Sequence, residues 1–206
     1  MGRSFLSGIG LIAALCAGCT DDPQALTRGN LSAAVERHLK ENNPACFSDR
    51  CNGFPTTVIR NEQVRKAYQC VLNAYDSLVL AGLLARADSL ERRPEGGGYR
   101  DYPATVYRLT AEGQQFYDAK RHMFCYGEAR LDRILSYHER PGAAGQPTVA
   151  VRYAYRVENI ARWAESGALS EHFPEIGRGI ASRETPIEAE VLLVRGPAGW
   201  KVAGRP

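Results

Sequence analysis

The run Thr148 to Val157, TVAVRYAYRV, places Val149, Val151, Tyr153, Tyr155 and Val157 at alternate positions, with Thr148, Ala150, Arg152, Ala154 and Arg156 between them. Successive side chains of an extended chain point to opposite faces, so this period of two specifies a half-buried strand of an antiparallel sheet. Ala129 to Arg140 is a second strand-like stretch, joined to the first through Pro141-Gly142-Ala143-Ala144-Gly145-Gln146-Pro147, a plausible hairpin connection. Ile187 to Arg195 and Trp200 to Ala203 flank Gly196-Pro197-Ala198-Gly199 and predict a final hairpin. Between these pairs, Ile160 to Phe173 reads as a short helical crossing anchored by Trp163 and ending near Pro174. Residues 121–206 therefore predict a small curved antiparallel sheet with one helix across it, without an internal repeat.

The preceding region, residues 30–120, is mainly helical in pattern. Asn30 can cap a helix running to about Asn43, in which Leu31, Val35 and Leu39 recur every four residues and Ala34 widens the apolar face. A short β-branched run, Thr56 to Ile59, follows a loop rich in Asp, Asn, Gly and Pro. Asn61 then opens a second helical region with Val64, Tyr68, Val71, Leu72 and Tyr75 on one face, and a break is expected near Asn73 to Asp76. Next come Leu78 to Leu84 (LVLAGLL), a strand to about Arg92, Pro94-Glu95-Gly96-Gly97-Gly98, Thr105 to Thr110 (TVYRLT), and a helix from Ala111 to Lys120. This order resembles the helix, strand, wing, strand pattern of winged-helix domains. The expected fold class is thus α+β: a winged-helix-like N-terminal half followed by an antiparallel sheet with a crossing helix.

A winged-helix regulator would read DNA with Arg, Lys, Asn or Gln on its recognition helix. The stretch Asn73 to Gly82 offers Asn73 and Ser77 but also Asp76, with no Lys or Arg. Arg86, Arg92, Arg93, Arg100 and Arg108 around the wing are interspersed with Asp88, Glu91, Glu95 and Asp101. The formal charge of the whole chain is only +3. No nucleic-acid partner is expected from that balance.

The N terminus differs from everything after it. Arg3 precedes an uncharged, mostly apolar run, Phe5 to Ala17, whose helical length of about 20 Å falls short of the roughly 30 Å hydrocarbon core. A charged start, a short apolar middle and small residues at the end describe an export signal. Its end, Leu15-Cys16-Ala17-Gly18-Cys19, resembles the lipobox of bacterial lipoproteins, with Cys16 where that family prefers Leu. The resemblance implies removal of residues 1–18 as a signal peptide, acylation of Cys19 by palmitate-type chains, and a polar tether over residues 19–29. Thr20 follows Cys19 in place of the Asp that retains many such proteins at the inner membrane, so the expected location is the outer membrane, facing the periplasm. Cleavage leaves a mature chain of formal charge +2, since Arg3 is the only charged residue removed.

Four further cysteines, Cys46, Cys51, Cys70 and Cys125, suit two disulfides in an exported protein. Of the three connectivities, Cys46 with Cys125 and Cys51 with Cys70 close the longer loops and are preferred on chain entropy. No Cys-x-x-Cys is present, so neither a thioredoxin-like site nor a zinc knuckle has its usual signature.

The sequence carries no metalloprotease, nucleophile-elbow, phosphate-loop or dinucleotide fingerprint. No catalytic residue, metal site or cofactor is assigned. His122 and Cys125 could form a thiolate pair, and His138-Glu139 or Glu128 with Asp132 could build an acid/base or metal cluster, but disulfide bonding and solvated charge are the plainer readings. Tyr99, Tyr102, Tyr107, Phe116, Tyr117, Phe124 and Tyr126 either line a groove for peptide or glycan or form the core between wing and sheet. The leading expectation is a non-catalytic lipoprotein, held to the membrane through its N-terminal lipid, that acts as a binding or envelope-assembly module for an envelope protein or glycan. Its rivals are a periplasmic enzyme with a spatially assembled His/carboxylate site and a winged-helix regulator.

Overall fold

The computed structural model describes residues 22–51, 53–142 and 145–203. The expected signal peptide and its Cys19 acylation site lie outside the described residues. Among the described residues, mixed α+β structure is arranged in three antiparallel sheets. Helix α1 (Arg28–Asn42) starts two residues before the expected cap. Thr27 is the N-cap, its hydroxyl accepting from the Asn30 amide at 3.2 Å, while the Asn30 side chain donates to the carbonyls of Asp22 and Ala25. The face carrying Leu31, Ala34, Val35 and Leu39 is buried, as the spacing predicts.

Strand β1 (Cys46–Ser48) and β2 (Thr56–Ile59) lead to α2 (Glu62–Leu80). Asn61 caps α2 through its side-chain oxygen, which accepts from Val64 N at 2.7 Å. The irregularity in α2 falls at Tyr68, where φ is −115° and ψ 17°, and the helix runs unbroken through Asn73 to Asp76. Tertiary burial of Ala74, Tyr75, Ser77 and Leu78 holds that segment helical despite the low helix propensity of Asn73 and Asp76.

Strands β3 (Leu84–Glu95) and β4 (Gly98–Leu109) make a long hairpin through the Gly96-Gly97 turn, where both glycines have positive φ. Helix α3 (Ala111–Phe116) is shorter than expected, because Tyr117 leaves the helix to begin β5 (Tyr117–Asp118) and pairs with Phe124 in β6 (Met123–Cys125). Strands β7 (Glu128–Pro141) and β8 (Pro147–Glu158) form the expected hairpin, but β8 is not half-buried: Thr148, Ala150 and Ala154, on the face opposite Val149 and Val151, are buried too, because β8 is a central strand between β7 and β9. A 3-10 turn (Arg162–Glu165) and α4 (Gly167–His172) form the crossing; Pro174, expected to end it, instead opens α5 (Pro174–Ala181), where its missing N–H and fixed φ suit the first turn. Strands β9 (Ile187–Gly196) and β10 (Gly199–Val202) complete the order β10-β9-β8-β7.

Two cores result. One gathers Phe47, Tyr75, Leu78, Phe124, Tyr126, Trp163, Phe173 and Ile176 around the sheet β1-β6-β5. The other seals α1 onto the four-stranded sheet through Leu31, Val35, Leu39, Val149, Val151, Leu193 and Trp200. Helix α1 therefore packs on β7 and β10, where a winged-helix unit would set it beside α2. The wing-like order α2, β3, β4 is present, with the third sheet arranged β2-β4-β3.

Candidate functional site

Cys46 and Cys125 are directly opposed in the β1–β6 register, their Cα atoms 4.0 Å apart, and are joined by a disulfide. The Arg121 guanidinium lies 3.9 Å from one sulfur and 3.7 Å from the other. The expected Cys51–Cys70 bridge is not formed: both are free thiols. Cys51 is half-buried and donates to the Gly53 carbonyl at 3.3 Å, whereas Cys70 is exposed on α2. Five residues of helix separate Cys70 from the inward-facing Tyr75, a rotation of about 140°, which points Cys70 away from the core that Cys51 adjoins.

A polar cluster joins the loop after β1 to Tyr117 and His122, the disulfide linking β1 to β6 beside it. Asp49 follows β1 with its carboxylate wholly buried. One oxygen accepts from the Cys51 amide at 2.8 Å in an Asx turn, and the other accepts from the Tyr117 hydroxyl at 2.6 Å. The Asp49 amide donates to the His122 carbonyl at 3.0 Å. His122 Nδ1 lies 3.2 Å from the Tyr117 oxygen and 3.9 Å from the carboxylate, with its side chain 44% exposed. Since the Tyr117 proton is given to Asp49, its oxygen accepts from His122 when Nδ1 bears hydrogen. Arg50 and His122 both have positive φ, at 58° and 53°, so the two loops meet in conformations uncommon for side chains this large.

The chemistry of this cluster is that of a fastener. Burial first, then the Asp49 carboxylate, pushes the Tyr117 hydroxyl far above its ordinary pKa, leaving it protonated and a poor base. Burial likewise raises the Cys51 thiol, with the Asp49 charge adding to the effect. A thiol held protonated lacks the thiolate that nucleophilic catalysis requires. Tyr75, beside Cys51, is raised in the same way, chiefly by burial, and its buried hydroxyl has no partner in hydrogen-bond geometry among the described residues.

The other charged groups suggested by sequence do not assemble. Cys125 is in the disulfide, so it cannot pair with His122 as a thiolate. His138 accepts at Nε2 from Arg140 on the exposed part of β7. Glu128 pairs with Arg130, and Asp132 with Arg133 and Arg156. Among the described residues no group of three or more His, Cys, Asp or Glu could hold a metal ion. The aromatic set divides: Tyr107, Phe124 and Tyr126 are buried, Phe116 and Tyr117 pack against the core, and Tyr99 and Tyr102 stand on the wing beneath Arg92 and Arg100.

A surface groove offers a different kind of site. It lies between α2 and the sheet β2-β4-β3, with a volume of about 800 Å³. Val58, Leu72 and Ala87 supply apolar lining; Arg65, Asp76 and Arg86 supply charge. Asp76 accepts from Arg86 at 2.7 Å and from the Tyr107 hydroxyl at 3.3 Å, while Arg60 pairs with Asp88 at 2.9 Å. These pairs position donors and acceptors around an apolar base, the composition of a recognition surface. Sequence spacing did not reveal this groove or the Asp49–Tyr117–His122 fastener, because both join segments distant along the chain. The Asp-x-Cys turn at Asp49 was the one local signal.

No helix among the described residues is long and apolar enough to cross a membrane. Comparison with protein-family models, curated proteins and solved structures found no match.

Proposed function

We propose that this chain is an outer-membrane lipoprotein, acylated on Cys19 and facing the periplasm, whose folded part is a non-catalytic binding or envelope-assembly module. The observation that carries the binding role is the groove beside α2, where fixed Arg–carboxylate pairs border Val58 and Leu72. The Cys46–Cys125 disulfide suits the oxidising compartment that this address implies. An envelope protein or glycan is the expected occupant. The pairing of Arg60, Arg86, Arg92 and Arg100 with carboxylates weakens any continuous phosphate-binding stripe and favours this occupant over nucleic acid.

A photo-cross-linker replacing Arg65 in intact envelopes tests the binding role. A discrete adduct is expected, sensitive to protease for a protein partner or to muramidase for a glycan. Asp76→Ala should weaken its formation about tenfold, equivalent to ~1.4 kcal/mol. Adducts no stronger than those from an exposed site outside the groove, or insensitive to Asp76→Ala, contradict this reading.

One observation favours the enzyme reading: His122 does converge with a buried carboxylate through Tyr117. That reading requires His122→Gln to abolish a turnover while leaving the fold intact. The fastener reading expects loss of stability and no change in groove binding.

A further inference from the structure

The chain just after the expected lipidation site is held to one end of the folded domain. Although residues 19–29 read as a free tether, their described part is fastened to the β9–β10 turn. Gln24 Nε2 donates to the Pro197 carbonyl at 3.1 Å, and Trp200 Nε1 donates to the Ala25 carbonyl at 3.2 Å. Gly199, at φ 103°, lets the Pro23 backbone come so close that an added Cβ would sit 2.9 Å from its carbonyl oxygen. Asn30 holds the same strap from the other side through the carbonyls of Asp22 and Ala25. Only three Cα steps separate Cys19 from Asp22, so even a fully extended chain reaches about 11 Å.

We infer that the Gly196–Gly199 turn of the domain rests against phospholipid headgroups, held there by the strap and a leash too short to let the domain turn over. This rests on Cys19 being the lipid-bearing residue. The turn's chemistry fits that surface. Pro197 and Ala198 are exposed at its tip, and exposed Arg195 and Lys201 flank it. The β9–β10 register opposes Arg195 to Trp200 and Lys201 to Val194, placing the two cations on opposite faces of the hairpin. Both can reach headgroup phosphates when the turn stands on the surface. Asp22 is the acidic group of the strap; its carboxylate accepts from the Gln24 amide at 2.9 Å and so stays engaged with its own turn.

The test uses full-length protein purified from membranes and placed in vesicles of phosphatidylethanolamine and phosphatidylglycerol. A benzophenone amino acid is introduced at Ala198 or at Glu188, an exposed site eight residues, about 26 Å, from the turn end of β9. Lipid adducts should be several-fold more abundant from Ala198. Inserting about ten Gly and Ser residues between Asp21 and Asp22, a reach of roughly 17 Å in coil, should erase that preference. Equal labelling without the insert overturns the inference, as does a preference that survives it. The mass of the N-terminal peptide is read from the same samples: an acylated Cys19 with equal labelling defeats the orientation alone, whereas an unacylated peptide defeats both the orientation and the anchor.

Discussion

The two cores reach similar burial by opposite means. Beneath α1, Leu31, Val35 and Leu39 meet Val149, Val151 and Leu193, and regular elements with their expected periods do the packing. Around Phe47, the elements are short: β1, β5 and β6 contain three, two and three residues. Sheets this small are marginal without outside support. Here the support is an aromatic cluster, with Phe47 4.1 Å from Phe173 and 5.7 Å from Phe124 between ring centroids, together with the disulfide and buried Asp49. Regular repetition can hold one core, while the other depends on a few specific fasteners.

The comparison breaks most readily at the disulfide. Cys46→Ser with Cys125→Ser opens a sequence separation of 79 residues, and a loss of about 4.5 kcal/mol is expected from chain entropy. Urea unfolding measures the loss. Hydrogen exchange should show β1 and β6 losing more protection than β8 and β9; equal loss would mean that the cores do not differ in this way.

Asp49→Asn is the next largest test, expected to cost ~1–3 kcal/mol by disrupting the buried acceptors used by Tyr117 and the Cys51 amide. His122→Gln should cost less, since its ring is partly exposed.

A subtler difference lies in the tyrosines. Burial raises Tyr75, Tyr117 and Tyr126 above their ordinary value of 10 in the aromatic core, and Tyr153 and Tyr155 are raised near the other. The folded protein keeps these protons while the unfolded chain releases them above pH about 10. Their contribution is therefore intact below that pH and declines above it. Tyr75→Phe removes a hydroxyl that has no hydrogen-bond partner among the described residues; neutral-pH stability should stay within about 0.5 kcal/mol, while the alkaline decline becomes shallower. Thermal melts at pH 7 and above pH 10 measure both.

The smallest expected effect distinguishes the free thiols. Exposed Cys70 should react with a maleimide at neutral pH well before Cys51, whose thiol is half-buried and held protonated. Equal rates would show that the Asp49 neighbourhood is open.

The same division explains what the sequence made legible. The apolar face of α1, the Asn61 cap and the β8 alternation are local signals, and each leads to the observed element, although the alternation does not show that Thr148, Ala150 and Ala154 on the second face of β8 are buried as well. The Cys46–Cys125 pair was preferred on loop length and lies in register. Local reading failed where distant contacts decide: Tyr117 ends α3 by pairing with Phe124 and bonding Asp49, and Thr27 caps α1 while Asn30 holds the strap. Cys51 and Cys70 shared a favourable loop length but face different surroundings. The candidate groove was illegible for the same reason, since Asp76, Arg86 and Tyr107 come from α2, β3 and β4.

A folded binding module that begins almost immediately after a lipid-bearing Cys19 is what we propose. Intact-mass and N-terminal peptide analysis of protein extracted from membranes tests it most directly. The expected result is a chain lacking residues 1–18 and carrying acyl groups on Cys19, with Cys19→Ala abolishing that species. An uncleaved chain, or a mature chain whose Cys19 is unmodified or absent, would contradict the account.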